Sequence, residues 1–351
     1  MRVLCLTNMW PGPADPDYGA FVADMCAALT RRGLEVDPVV IDRRAHGLAR
    51  TPAKYASLTA RAVKRARRAD VIYAHYLFPT GAAADLAART AGIPFVVTAH
   101  GQDVRNLARP SVRRATAGPL RRAAHVIAVS HHLAEELRAS GLEVPPLDVV
   151  DMGVDLDRFA QRDRAAARAR LGLAPAGPLV LAVGGLTDRK NPLGLLQAFA
   201  RVRAERPDAR LAFVGDGPLA RAVDAGVRRM GLEAAVLRPG AVPHAAVADW
   251  VTACDALAIV SRVEPLGVAA LEALAAGRPV IATRVGGTRE VVPDPDVGRV
   301  VDPADPWAIA TAILDVLADP PGAEACRRAA EPHGIDVQAA KVDAILRGAA
   351  G

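Results

Sequence analysis

A chain of 351 residues, 51% of them apolar, is long enough to bury two ordinary cores, because single domains cluster near about 100–200 residues. The net charge of +6 is modest for that length, and the positive residues are dispersed rather than gathered in an aromatic-interleaved patch, which sets nucleic-acid binding aside. Cys5, Cys26, Cys254 and Cys326 form no CxxC pair and have no histidine at ligand spacing, so neither zinc nor a disulfide framework is indicated and a reducing compartment is expected.

The chain enters a strand at Arg2-Val3-Leu4-Cys5-Leu6 with no signal-type apolar region ahead of it, and no apolar run is long enough to span a bilayer, so a cytoplasmic protein is expected. Short apolar runs followed by helical periods recur at Val3–Leu6, Val36–Ile41, Val71–Ala74, Phe95–Thr98, Val126–Val129 and Asp148–Val150. The rhythm restarts at Leu179–Val183 and continues through Leu211–Val214, Ala235–Leu237, Ala256–Val260, Pro279–Thr283 and Arg299–Val301. Strands alternating with helices read as parallel sheets covered on both faces, so two doubly wound α/β units in tandem are predicted. The polar, Pro- and Gly-containing stretch 158–178 lies between them, and the boundary is placed at 165/166. A final helix, Val337–Leu346, carries an apolar stripe at Val337, Ala340, Val342 and Ile345 and could dock on something other than its own unit.

The most informative segment is Ser261-Arg262-Val263-Glu264-Pro265-Leu266-Gly267-Val268-Ala269-Ala270-Leu271-Glu272, which leaves the strand Ala256–Val260 and enters an Ala-rich helix. At about 1.5 Å rise per residue, Glu264 and Glu272 stand roughly 10 Å apart, a span suited to a sugar-nucleotide rather than to one bond. The amides of Leu266, Gly267 and Val268 open the helix and favour a diphosphate, which Gly267 lets approach the backbone. Two solvated surface glutamates are the plain alternative, but ligands of doubly wound sheets sit at the carboxyl ends of strands. Val183-Gly184-Gly185-Leu186-Thr187-Asp188-Arg189-Lys190-Asn191 also leaves a strand end, with small residues and a lysine that suit phosphate. In the N-terminal half, His100 follows the strand Phe95–Val97, where it can donate to a sugar hydroxyl or stabilise charge. Asp17-Tyr18-Gly19 precedes a helix start that could face a phosphate.

With these residues in hand, the sequence resembles the family 4 retaining glycosyltransferases of the GT-B fold over nearly its whole length. The matching parts, in order, are Thr7-Asn8-Met9-Trp10-Pro11 with Tyr18-Gly19, His100-Gly101-x-Asp103, Val129-Ser130, Gly153-Val154-Asp155 with Arg158-Phe159, Lys190, Val214-Gly215-Asp216-Gly217-Pro218, Gly240 with Val242-Pro243, Glu264 to Glu272, and Gly286-Gly287 with Glu290. The resemblance implies two Rossmann-like domains facing across a cleft, the N-terminal one on the acceptor side and the C-terminal one binding the donor, with a C-terminal helix in residues 335–351 packing back on the N-terminal domain.

It further implies that Glu264 contacts sugar hydroxyls, Glu272 holds the ribose, and Lys190 binds the diphosphate with the amides of Leu266, Gly267 and Val268, while His100 faces the sugar. Gly19, Gly185, Arg189, Gly240 and Val242 complete the expected donor-binding set. No metal and no cofactor are implied; Lys190 and a helix N-terminus meet the leaving-group charge instead. The sequence departs from the family pattern at Gly185, where an arginine is usual and whose place Arg189 could take, and at Asp151 and Met152 in the linker.

The activity implied is hexosyl transfer with retention from a nucleoside-diphosphate sugar, UDP ahead of GDP, to a small-molecule or lipid-linked hydroxyl. A nucleotide-sugar epimerase of the same fold and a non-catalytic two-domain sugar-binding protein are the alternatives. In the segment 51–68, helical spacing lines up Lys54, Arg61, Arg65 and Arg68, a stripe that could make weak contact with an anionic membrane.

Overall fold

The structure is a computed structural model and describes all residues except Ala14, Pro16, Asp17, 44–50 and Asp294, together with the side chain of Thr51. Asp17, expected near a phosphate, therefore lies outside the described residues. Strands apolar at every position, rather than at alternate ones, must be covered on both faces. Accordingly, β3 (Val71–His75), β4 (Phe95–Ala99), β10 (Ala256–Ile259) and β11 (Val280–Thr283) are buried at every residue.

The first sheet contains β1 (Arg2–Thr7), β2 (Glu35–Val40), β3, β4, β5 (His125–Ala128) and β6 (Leu147–Val149) in the order β2-β1-β3-β4-β5-β6. The second contains β7 (Leu179–Val183), β8 (Arg210–Val214), β9 (Val236–Gly240), β10, β11 and β12 (Gly298–Val301) in the order β12-β11-β10-β7-β8-β9. All pairings are parallel, and each apolar run singled out in the sequence is one of these strands. Two doubly wound units result. In the second, β7 and β10 pair side by side, Ala256 opposite Val180, and the chain winds outward from them in opposite directions. Such a reversal opens a crevice at the carboxyl ends of the two strands.

One unit comprises Met1–Gly153 and Ile335–Gly351, the other Val154–Gly334. The division precedes the expected 165/166 because the intervening residues are tied to the second unit: Val154 N donates to His333 O at 2.8 Å. The helix Arg164–Arg170 belongs there too, through Arg168 Nε on Ala253 O at 3.0 Å and Arg170 on Asp249 at 2.6 Å.

The last helix, Ile335–Ala350, packs in the first unit against the helix Ala20–Arg31. Its buried face differs from the expected stripe. Ile335, Gln338, Ala339, Val342, Asp343 and Leu346 are buried, whereas Val337 is 46% exposed. The sequence misled because two polar residues lie inward; Asp343 is compensated by Arg32 at 3.3 Å and Arg347 at 2.7 Å.

The basic segment forms the helix Thr51–Ala66, whose Leu58, Ala62 and Ala66 are fully buried. Two of its four striped cations turn back on the edge strand: Arg61 donates to Val40 O at 2.7 Å, and Arg65 pairs with Asp37 at 2.8 Å. Among the described residues, no helix is long and apolar enough to cross a membrane.

Candidate active site

After β7 the backbone turns at Gly184, φ 128°, passes Gly185, and makes a single helical turn at Asp188–Lys190 before the helix Pro192–Glu205. Leu186 N donates to Asp216 O at 3.0 Å, and a Cβ on Gly215 would stand 2.1 Å from Gly184 O, so glycine is obligatory where the β7 and β8 loops touch. The loop brings Lys190 over the crevice, in a pocket lined by Gly184, Gly185, Lys190, Val260 and Ser261.

From the neighbouring strand β10, Ser261 and Glu264 enter the same place. Lys190 Nζ donates to Glu264 Oε2 at 2.5 Å, and Ser261 Oγ donates to that oxygen at 2.9 Å. Glu264 is 6% exposed and Glu272 5%, so neither is a solvated surface side chain. Burial pushes the Glu264 carboxyl up, but the Lys190 ammonium, assisted by Arg189 and by the bonds from Lys190 and Ser261, outweighs it and leaves the group below its ordinary range.

Backbone contacts fix the Glu264 turn as well. Gly287 N donates to Glu264 O at 3.1 Å, and Gly286, φ 54°, lies so close that a Cβ would stand 1.9 Å from that oxygen. Arg262 N donates to Arg189 O at 2.8 Å, joining this turn to the β7 loop, while the Arg189 side chain stays exposed. Gly267, φ 100°, opens the helix Val268–Ala275 without a side-chain cap, so no side chain takes the first amides of the helix. Leu266 is buried beside them.

Glu272, in the same helix, accepts from His244 Nε2 at 2.6 Å. His244 starts the helix His244–Ala253 directly after Val242 and Pro243, and Gly240, φ 81°, ends β9 with its carbonyl accepting from Gly215 N at 2.8 Å. Lys190, Glu264, Gly185, Arg189 and the helix start thus lie together in the second unit, while Val242 stands two residues before His244, the partner of Glu272.

His100 and Gly19 belong to the first unit. Asp103 carries the His100 turn: it accepts from the amides of Leu77, His100, Gly101 and Val104 at 2.8–3.1 Å for the nearest contacts. His100 Nε2 lies 3.1 Å from Nδ1 of His75, the last residue of β3, and burial pushes the His100 imidazole down to about 3, so it is neutral near pH 7. Gly19, φ 72°, lets the chain pass the Met9 backbone, which a Cβ would approach to 2.4 Å. His75, Ser261 and His244 were not singled out in the sequence. Ser261 sits in the quoted block without a role, and isolated histidines at strand and helix ends carry no local signal.

The family model described as glycosyl transferases group 1 matches residues 163–333, and that for glycosyltransferase family 4 matches 18–158. Over 93% of its length the chain is 30% identical to a D-inositol 3-phosphate glycosyltransferase of Segniliparus rotundus, covering 83% of that protein. It is 35% identical, over 73% of this chain and 71% of the relative, to a GDP-mannose-dependent alpha-(1-6)-phosphatidylinositol monomannoside mannosyltransferase of Mycolicibacterium smegmatis. The solved structure of Anabaena HepE in complex with UDP shares the fold, with a TM-score of 0.81 and 21% identity over 99% of this chain and 100% of that one. Two matched family models in tandem, two parallel six-stranded sheets and a relative aligned almost end to end agree: the chain belongs to the family 4 glycosyltransferases and has the GT-B fold.

Proposed function

We propose that this glycosyltransferase moves a hexose with retention of configuration from a nucleoside-diphosphate sugar, UDP ahead of GDP, to a hydroxyl-bearing acceptor, without a bound metal. The observation that carries the reading is the Lys190–Glu264 pair at 2.5 Å, held at the point where the second sheet reverses direction. An ammonium beside a glycine turn suits a diphosphate, and a carboxylate locked to it suits the hydroxyls of the adjoining sugar. Arg189 and the amides of Leu266, Gly267 and Val268 add positive potential for the leaving group, and Glu272 takes the ribose. The assignment of the neutral His100 imidazole to the transferred sugar rests on family resemblance.

In the retaining step the acceptor oxygen bonds to the anomeric carbon on the face from which the diphosphate departs. The anomeric carbon–oxygen bond to phosphate breaks, and the acceptor proton passes to the departing phosphate oxygen. UDP is favoured because the similar HepE structure holds it, although the mycobacterial relative is named for GDP-mannose. A soluble, hydroxyl-bearing small molecule is the favoured acceptor, since Arg61 and Arg65 are engaged by the protein itself. The test is turnover with a panel of UDP- and GDP-sugars, with the product anomer read by NMR and the assay repeated in EDTA. An inverted product refutes retention, loss of turnover in EDTA refutes metal independence, and isomerised donor without acceptor points to an epimerase.

A further inference from the structure

The linker residues Asp155 and Arg158 fall outside the donor cluster by sequence, yet side-chain contacts connect them to it. Asp155 orients Arg158, accepting from its backbone N at 2.9 Å and facing its guanidinium at 3.3 Å. Arg158 Nη1 lies 3.0 Å from His244 Nδ1, and His244 Nε2 lies 2.6 Å from Glu272 Oε1. The direction of every bond in this row is fixed by chemistry. A guanidinium has donors only, so Nδ1 of His244 must accept; the ring proton is therefore on Nε2 and is given to Glu272. Phe159, itself 2% exposed, sets its ring 5.7 Å from that of His244 and restricts the imidazole further.

We propose that His244, locked by Arg158 as its Nε2–H tautomer, is a positioning residue that aims the Glu272 carboxylate at the ribose of the bound nucleotide. It rests on the reading of Glu272 as the ribose-holding group. His244 occupies Oε1, and among the described residues Oε2 has no protein partner, so one oxygen anchors the side chain while the other meets the ligand. A bound Glu272 loses little further rotamer freedom when the nucleotide arrives, which is how pre-orientation becomes affinity.

Calorimetry with UDP or GDP, whichever the wild type binds more tightly, and with its 2′-deoxy and 3′-deoxy analogues tests this. Wild type should lose roughly tenfold in affinity for at least one deoxy analogue, the scale of one hydrogen bond to a charged group. His244→Ala and His244→Asn should reduce that discrimination to within about twofold, while His244→Gln, whose terminal N–H stands near the Nε2 position, should restore it. If His244→Ala discriminates as wild type does while Glu272→Ala does not, the positioning role is overturned and the ribose assignment stands. If Glu272→Ala itself discriminates normally, or wild type binds neither nucleotide, the ribose assignment fails and takes the proposal with it. Ring ¹⁵N spectra of the wild type provide a readout independent of any His244 variant. A wild-type ring protonated at Nε2 alone is expected, with the Nδ1 resonance losing its hydrogen-bonded shift in Arg158→Met while Nε2, facing the Glu272 carboxylate, keeps its proton; a wild-type ring protonated at Nδ1 overturns the proposal.

Discussion

At Lys190 and Glu264, the ammonium sets the charge state of the carboxyl. Glu264 is nearly inaccessible, and only the adjacent cations and hydrogen bonds keep its carboxyl below its ordinary range. A group shifted down in this way stabilises the fold above its unfolded pKa of 4.5 and loses that contribution as pH falls through the folded value. Lys190→Ala should reduce turnover by roughly 10²–10³, the loss typical of one preorganised charge-stabilising donor, with circular dichroism unchanged. Near-normal turnover in that variant would remove Lys190 from the diphosphate site. His100 titrates in the opposite sense to a paired histidine. Between pH 6.5 and about 3 the unfolded chain binds a proton that the folded imidazole refuses, so stability falls on acidification across that window. The slope is at most about 1.4 kcal/mol per pH unit. Urea unfolding at pH 7 and pH 5 should show a smaller difference for His100→Gln than for wild type; equal differences would mean that His100 is protonated in the fold.

Among the elements, the loops after β7 and β10 and the turn at Gly286-Gly287 define the site by backbone contact, which makes glycine positions unequal. Gly286→Ala would drive a Cβ to 1.9 Å from Glu264 O at a φ of 54°. The expected cost is on the order of 1–3 kcal/mol, with turnover falling as the Glu264 turn shifts. Gly348→Ala is the control: it lies exposed in the final helix without a positive φ, and no atom lies within 4 Å of the added Cβ, so stability should be unchanged or rise by roughly 0.4–1 kcal/mol. Thermal denaturation of the two variants measures the contrast, and a Gly286→Ala protein as stable and active as wild type would contradict this geometry. The helix-start glycine of the donor cluster was legible in the sequence because a strand end, a glycine and a helical period are all local. Its neighbour Gly286 was legible only by resemblance, since the carbonyl it avoids is supplied by another loop.

For the whole molecule, the open question is where the acceptor resides. Polybasic attraction to an anionic leaflet is worth about 1 kcal/mol per residue, and with Arg61 and Arg65 bonded to the β2 edge the stripe retains Lys54 and Arg68, about 2 kcal/mol. Co-sedimentation with anionic vesicles at physiological salt should therefore stay near background. Strong pelleting that disappears at high salt and on reversing Lys54 and Arg68 would instead favour a lipid-linked acceptor.

The sequence by itself determined the strands and the tandem α/β plan and singled out Lys190, Glu264 and Glu272 as candidates, because apolar runs, helical periods and turn residues are written within a few positions of one another. Tertiary structure decided which of these meet. Lys190 and Glu264 are 74 residues apart and become partners only because β7 and β10 pair at the reversal of the sheet. His244 and Glu272 are 28 apart on different helices, and the buried face of the final helix depends on the arginines that compensate Asp343. Packing sets such contacts, since a buried carboxylate is tolerated only where the fold delivers a donor to it, and no local period records that delivery.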